Sequence, residues 1–181
     1  MSEELDVLEI VCQRLKSAGI SFMITGSIAG NFYAVPRMTR DIDIVIEVNP
    51  RDSDRFCSLF EDKFYLELDS VKDAIEKQGM FNMIHNEYVL KVDFIVRKDS
   101  PYRELEFRRR RSIMVESTEM SIVSIEDLII SKLLWAKDSL SEIQLGDIKN
   151  LLSRGREVDM QYVEKWVESL DLQDVYSKVK P

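Results

Sequence analysis

The segment that most constrains the fold is residues 22–47, FMITGSIAGNFYAVPRMTRDIDIVIE. Residues 20–25 are typical of a short apolar β-strand, and the Gly-Ser pair at positions 26 and 27 opens a run of small and apolar residues that predicts the start of a helix. A second strand then carries an Asp-x-Asp motif at positions 41–43. The segment therefore predicts two strands joined through a tight turn and a short helix.

The Asp-x-Asp strand places two carboxylates on one face. Side chains alternate across a strand, so Asp41 and Asp43 point the same way about 7 Å apart along the backbone, while Ile42, Ile44 and Ile46 occupy the opposite face. Two such carboxylates can share hard cations such as Mg²⁺. An exposed strand with acids on its solvent side gives the same pattern, but the nearby Gly-Ser turn favours the metal site.

Gly26 and Ser27 stand where the first strand meets the predicted helix. The free backbone N–H groups at a helix start attract phosphate, and the hydroxyl of Ser27 adds a donor. A side chain at position 26 would obstruct a bound phosphate. The alternative interpretation of Gly26 is an ordinary strand-to-helix turn.

A third carboxylate, Asp93, lies within the otherwise apolar segment KVDFIV. An ionised carboxylate among apolar residues is costly unless a cation or several donors compensate it. A third metal ligand explains the placement, as does an edge strand with one wet position. The presence of the Asp-x-Asp strand favours the ligand.

Together these residues resemble the nucleotidyltransferase superfamily related to polymerase beta, whose pattern is Gly-Ser, a gap, Asp-x-Asp and a carboxylate on a later strand. Here Gly26-Ser27 is followed by thirteen residues, then by Asp41-Ile42-Asp43, and later by Asp93. The lead-in at positions 37–41, RMTRD, resembles that of small bacterial nucleotidyltransferases of the antibiotic-modifying and AbiEii toxin-like kinds.

The resemblance implies transfer of a nucleoside monophosphate from a nucleoside triphosphate (NTP) to an acceptor hydroxyl, with release of pyrophosphate. Asp41 and Asp43 would hold two Mg²⁺ ions and the triphosphate, and Asp93 would hold the ion that activates the acceptor. Such paired ions lie roughly 3.5–4 Å apart. The acceptor is a small molecule, a protein or an RNA end.

Two basic residues extend the implied nucleotide site. Arg37 flanks the metal strand and is interpreted as a contact of triphosphate or acceptor, with surface pairing as the alternative. Lys132 lies among apolar residues on the inward face of a predicted helix, where its ammonium group needs an anion. A nucleotide phosphate or Asp147 would serve, and snorkelling to solvent is the plain alternative.

Periodicity and turn signals predict an α+β protein, with a mixed β-sheet of about five strands flanked by helices and a C-terminal helical bundle. We expect a nucleotidyltransferase domain at residues 1–117 and a helical region at residues 118–181 packed on it. At 181 residues the chain is long enough to bury about 70% of its unfolded surface.

Charge and composition exclude several classes of protein. The net charge is −8, which argues against broad binding of nucleic acid except at a local basic patch. With no basic leader and no long apolar run, neither secretion nor a membrane span is expected. Cys12 and Cys57 are far apart in the sequence and fit reduced thiols in a cytoplasmic protein. A single histidine, His85, makes a catalytic triad or a histidine-rich zinc site improbable.

Alternatives to catalysis follow from the same residues. A non-catalytic or toxin–antitoxin-type module of this fold would act through a cognate protein or a tRNA. AbiEii-like proteins carry two acids spaced three apart after the lysine, whereas Gln144 stands at the first of these positions and only Asp147 fits.

The four successive arginines at 108–111 would either contact a polyanion or protect a solvated strand edge.

Overall fold

The structure is a computed structural model that describes residues 2–115, 117–139, 141–154 and 158–180. Strands and helices alternate through the first two thirds of the chain, and helices make up the rest. The strands are β1 (Ser21–Thr25), β2 (Asp41–Glu47), β3 (Phe64–Tyr65), β4 (Met80–His85), β5 (Lys91–Val96), β6 (Arg111–Val115) and β7 (Thr118–Ile122). The helices are α1 (Glu3–Ser17), α2 (Gly26–Tyr33), α3 (Ser53–Ser58), α4 (Leu68–Glu76), α5 (Pro101–Arg108), α6 (Ile125–Ser139), α7 (Glu142–Arg154), α8 (Met160–Ser169) and α9 (Gln173–Ser177).

The seven strands of the described residues form one mixed sheet in the order β3-β4-β5-β2-β1-β7-β6. The β2–β5 and β1–β7 pairs are parallel and the other pairs are antiparallel. The predicted α+β class with a mixed sheet is confirmed, but the sheet has more strands than the five expected. The additional strands are β3, which has only two residues, and β7, whose residues were assigned to the helical region.

One face of the sheet carries the hydrophobic core. Ile44 on β2 and Phe94 on β5 are register partners and are fully buried, as expected from the strict alternation in these strands. Phe56 on α3 meets Phe94 edge-on, with the ring centroids 5.2 Å apart. Helix α1 covers the same face with a buried stripe that includes Leu8 and Leu15. The opposite face is therefore free to carry polar groups.

The C-terminal helices pack around α6, which contacts α7, α8 and α9. Ser124 caps the start of α6, because its hydroxyl accepts the backbone N–H of Asp127 at 3.2 Å and donates to the Asp127 carboxylate at 2.6 Å. Leu128, Ile129 and Leu133 on α6 are fully buried. None of the helices in the described parts of the chain is long and apolar enough to cross a membrane.

Candidate active site

The three aspartates singled out by the sequence lie on the polar face of the sheet. Asp43 on β2 and Asp93 on β5 are direct register partners in a parallel pair. Partner residues of neighbouring strands point to the same face, and the strands are about 4.8 Å apart. Asp41 lies two residues earlier on β2 and therefore shares that face. The fold thus brings the three carboxylates together at one corner of the sheet.

Burial and crowding disfavour the charged form of Asp43. Burial, followed by the negative charges of Asp93 and Asp41, raises the pKa of the Asp43 carboxyl. The positive charge of Lys132 and a hydrogen bond from the backbone N–H of Ser27 lower the pKa in part. The cluster therefore carries more negative charge than its surroundings compensate, which is the condition that a bound cation relieves.

Lys91, which was not among the predicted site residues, supplies a cation beside these carboxylates. Its Nζ lies 2.8 Å from Oδ2 of Asp93 and 3.5 Å from Oδ1 of Asp41. Lys91 and Asp41 are register partners on β5 and β2, so the contact follows from strand pairing. Lys91 stands two positions before Asp93 in the sequence, and that spacing on one strand is the signal that could have found it.

The donor set fits a hard divalent ion that arrives with a nucleotide. As the side chains stand, no group of three or more His, Cys, Asp or Glu residues within the described ranges is arranged to hold a metal ion. Magnesium is usually held by one or two carboxylates together with water and substrate phosphates, rather than by a cage made only of protein groups. Asp41, Asp43 and Asp93 offer such carboxylates on one face.

Gly26 is required by its contact with Asp43. Its φ is +64°, in the left-handed region that favours glycine, and a Cβ built on it would lie 1.9 Å from Oδ2 of Asp43. The sequence pattern alone assigns this glycine to the space that a phosphate needs. The structure adds that the carboxylate of Asp43 already fills the position of a side chain.

Arg37 and Lys132 converge on Asp147. Nε of Arg37 donates to Oδ1 of Asp147 at 2.9 Å, and Nζ of Lys132 donates to Oδ2 at 2.8 Å. Arg37 also donates through Nη2 to the hydroxyl of Ser27 at 2.6 Å. Lys132 is 4% exposed, so it does not snorkel to solvent, and it pairs instead with the carboxylate that the sequence offered as one of its partners.

The pKa of Asp147 reflects these contacts. Burial raises it, but the hydrogen bonds and charges of Arg37 and Lys132 outweigh burial and lower the pKa below its usual value. Gln144, on the same helix, accepts a weaker hydrogen bond from Lys132 at 3.3 Å. Helix α7 thus holds two cations in fixed positions beside the Gly-Ser turn.

The arginine run at 108–111 is distributed over three environments. Arg108 ends α5 and is exposed, and Arg111 begins the edge strand β6. Arg109 instead pairs with two buried acids, 2.9 Å from Asp127 and 3.2 Å from Glu126. Its guanidinium carbon also lies 3.9 Å from the centroid of the Tyr162 ring. This arginine therefore joins α5 to α6 and α8.

A cleft of about 300 Å³ opens on the polar face next to the aspartates. Val45 and Ile95, which are register partners directly after the Asp43–Asp93 pair on that face, form part of its floor. Trp135 on α6 forms part of its wall. The site thus consists of an acidic corner, a basic cluster at the Gly-Ser turn, and an apolar cleft.

Solved structures that share this fold include nucleotidyltransferases. An antigenic nucleotidyltransferase-like protein from Paracoccidioides brasiliensis is 18% identical, and the match covers 99% of this chain and 93% of that protein with a TM-score of 0.61. The lincosamide antibiotic adenylyltransferase LnuA, with lincomycin bound, is 16% identical over 84% of this chain and 97% of its own, with a TM-score of 0.54. ANT(2″)-Ia in complex with adenylyl-2″-tobramycin is 14% identical over 97% of this chain and 99% of its own, with a TM-score of 0.53.

No protein-family model matches the chain, and no curated protein sequence matches it. The likeness is therefore one of three-dimensional structure, and it agrees with the fold that the Gly-Ser and Asp-x-Asp motifs imply. The chain has the nucleotidyltransferase fold.

Proposed function

We propose that the protein is a metal-dependent nucleotidyltransferase that moves a nucleoside monophosphate from an NTP to an acceptor hydroxyl and releases pyrophosphate. One observation carries the proposal: Asp43 and Asp93 stand side by side, with Asp41 on the same face, directly beside the Gly26 turn. The fold shared with nucleotidyltransferases supports the reaction class.

The basic cluster suits the triphosphate. Ser27 in the first turn of α2, Arg37 in the following loop and Lys132 on α6 lie within one connected set of hydrogen bonds. Arg37 and Lys132 are oriented by Asp147, so their donors are fixed before a ligand binds. Cations and free N–H groups at a helix start favour the negative charge of phosphates.

The acidic corner suits the reacting groups. Asp41, Asp43 and Asp93 would hold two Mg²⁺ ions, which neutralise charge on the phosphate oxygens and favour the ionised acceptor hydroxyl. Asp93 would accept the acceptor's proton. The acceptor oxygen then bonds to the α-phosphorus, the bond from that phosphorus to the bridging oxygen breaks, and the electron pair leaves with pyrophosphate.

The experiment that tests this function measures pyrophosphate release and transfer of α-³²P label from each NTP, with Mg²⁺, to small hydroxyl compounds, proteins and RNA. We expect Asp43→Asn and Asp93→Asn to lower the rate at least about 100-fold, because charge stabilisation by metal is worth several kcal/mol. Asp69→Asn, at an exposed position in the first turn of α4, is the matched control and should retain the wild-type rate.

A rate that survives both site substitutions, or nucleotide binding that is independent of divalent ions, would refute the assignment. Labelled RNA with unlabelled small molecules would identify a tRNA-modifying enzyme instead of a small-molecule transferase.

We also assign the protein to the cytoplasm, since Cys12 and Cys57 are both free and buried.

A further inference from the structure

The apolar cleft beside the acidic corner has features that restrict what it can bind. It has a volume of about 300 Å³, at the lower end of the range for small-molecule sites. Its uncharged lining includes Thr25, Val45 and Ile95 from the sheet, Met80 at the start of β4, and Trp135 on α6.

The cleft continues from the aspartates along β2 and β5, because Val45 and Ile95 follow Asp43 and Asp93 on the same face. Among the described residues, none of the basic cluster lines it: Ser27, Arg37, Lys132 and Asp147 lie outside its wall. A triphosphate bound at Ser27 would therefore extend toward the aspartates from one side and leave the cleft to a second molecule. In the proposed reaction that second molecule is the acceptor, because Ile95 of the cleft floor lies two residues after Asp93, which would take the acceptor's proton.

Two large apolar side chains at the cleft are exposed. Trp135 is 52% exposed and Met80 is 47% exposed. An exposed apolar surface that lines a concave site is typical of a surface that a ligand covers. An indole ring presents a flat face, on which planar groups stack favourably.

The charges that line the cleft exclude a polycation. Glu106 is the only acidic residue among the described residues of the lining, and it is 2% exposed. Its carboxylate already accepts hydrogen bonds from Arg103, at 2.7 Å, and from the hydroxyl of Ser131. The other ionisable groups of the lining are basic: Lys77, Arg97, Lys98 and Arg103.

From this lining we infer that the acceptor is a small hydroxyl compound with a planar apolar group and without positive charge. The inference rests on the proposed function, and it separates this protein from a transferase of aminoglycosides, whose several ammonium groups need carboxylates. The planar group stacks on Trp135, and the hydroxyl reaches Asp93.

The test measures the fluorescence of Trp135, which changes when a ligand binds in the cleft. The chain has two tryptophans, and the buried Nε1 of Trp166 has no hydrogen-bond partner among the described residues, so Trp166→Phe removes the second signal without breaking a hydrogen bond. We expect 4-nitrophenyl β-glucoside to quench the remaining fluorescence saturably, with or without Mg²⁺ and a nonhydrolysable ATP analogue. Tobramycin should give no saturable change.

Matched variants separate stacking from folding. By calorimetry, Trp135→Ala should bind the aryl glucoside about 10-fold more weakly. Tyr65→Ala, at an aromatic residue that is 66% exposed on β3, should bind it as the wild type does. The double variant Lys77→Glu/Lys98→Glu should gain affinity for tobramycin, because it places carboxylates in the lining.

Two results would overturn the inference directly: tighter binding of tobramycin than of the aryl glucoside to the wild type, or an unchanged affinity of Trp135→Ala for the glucoside. Displacement of the glucoside by the ATP analogue would also overturn it, because the cleft would then be a nucleobase site. Failure of the proposed function gives a different result. In that case the ATP analogue with Mg²⁺ binds neither the wild type nor Asp43→Asn, while the glucoside titration keeps its outcome.

Discussion

Gly26 and the side chain of Asp43 are in such close contact that each limits which residue the other position can carry. The carboxylate of Asp43 lies where a β-carbon of residue 26 would be, and the backbone N–H of Ser27 donates a hydrogen bond to it. The turn therefore orients the carboxylate as well as leaving room for phosphate. A substitution at Gly26 is expected to move Asp43 away from Asp93.

Replacing Gly26 tests this contact, and Gly19 offers a matched control. Both glycines have positive φ, +64° for Gly26 and +70° for Gly19, but a Cβ at Gly19 meets no atom within 4 Å. Alanine at either position should cost about 1–2 kcal/mol of unfolding free energy from backbone strain. We expect Gly26→Ala to cost more and to weaken binding of Mg²⁺ and nucleotide, whereas Gly19→Ala leaves binding unchanged. Urea unfolding and calorimetry measure both, and equal effects of the two substitutions on binding would contradict the account.

Lys91 competes with divalent ions for the same carboxylates. Its Nζ contacts Asp93 and Asp41, and its side chain is 43% exposed, so the ion pair is only partly screened by water. Lys91→Met keeps the length of the side chain and removes the charge. We expect the variant to bind Mn²⁺ roughly threefold more tightly in the absence of nucleotide, since partly exposed pairs are worth up to about 1 kcal/mol.

Electron paramagnetic resonance of free Mn²⁺ during titration measures that change. Lys16→Met is the matched control, because Nζ of Lys16 forms a similar pair with Glu119 at 2.9 Å. Its Mn²⁺ affinity should equal that of the wild type. If Lys91→Met bound Mn²⁺ no better than the control, the side chain would not occupy the space of the ion.

Among the elements, α7 matters because Asp147 holds Lys132 of α6 and Arg37 of the loop after α2. Asp147→Asn would leave the buried Lys132 without its counter-ion, and we expect it to lower the free energy of unfolding by about 3 kcal/mol at neutral pH. The effect depends on pH, because the pKa of Asp147 is lowered in the folded protein. Its stabilising contribution is present above the unfolded pKa of about 3.9 and is lost as the pH falls through the folded value.

Unfolding midpoints from pH 3 to pH 7 for the wild type and Asp147→Asn measure this dependence. The difference between the two proteins should be constant above about pH 5 and should narrow in acid. Asn150→Ala, one turn further along α7, removes only a hydrogen bond to the backbone carbonyl of Val35 and should show no such narrowing. A difference that is independent of pH would show that the charge of Asp147 is not the cause.

The connection of α5 to the helical region depends on Arg109. Asp127 is fully buried, and Arg109 compensates the negative charge of its carboxylate. The carboxylate also accepts hydrogen bonds from Tyr162, at 2.7 Å, and from Ser124. We expect Arg109→Met to cost about 3–5 kcal/mol of unfolding free energy, because it leaves a buried carboxylate without a cation. Arg108→Met, at an exposed position, should cost less than about 0.5 kcal/mol. Chemical denaturation compares them, and equal costs would contradict a structural role for Arg109.

For the whole molecule, the strands that cross the core could be predicted from sequence because their alternation is strict. The isoleucines of β2 occupy one face and its aspartates the other, so the class of fold and the shared face of Asp41 and Asp43 follow from period two. The edge strand β3 has only two residues, too few to show a period, and the alternation in β7 is confined to Glu119–Ile122 and lies directly before the start of α6. Helix α5 was also missed, although Ser100 caps it and Pro101 occupies its first position.

Contacts between distant segments could not be predicted in the same way. The pairing of Lys91 with Asp41 needs the register of β2 against β5, which no local pattern contains. The same holds for Arg37 on Asp147, since the two are 110 residues apart in the chain, whereas helical spacing did offer Asp147 as a partner for Lys132. Sequence therefore indicated which residues carry charge, while the fold determines which of them meet.

The central claim is that Asp41, Asp43 and Asp93 together hold divalent ions beside the Gly26-Ser27 turn. A crystal of the protein grown with Mn²⁺ and a nonhydrolysable NTP tests it through the anomalous scattering of the metal. We expect Mn²⁺ coordinated by Asp41 and Asp43, Asp93 within reach of the same ion or its neighbour, and phosphate oxygens on the side of Ser27, with Nζ of Lys91 displaced. Anomalous peaks only elsewhere on the protein, with Lys91 still bridging Asp41 and Asp93 and the nucleotide bound away from the turn, would contradict it.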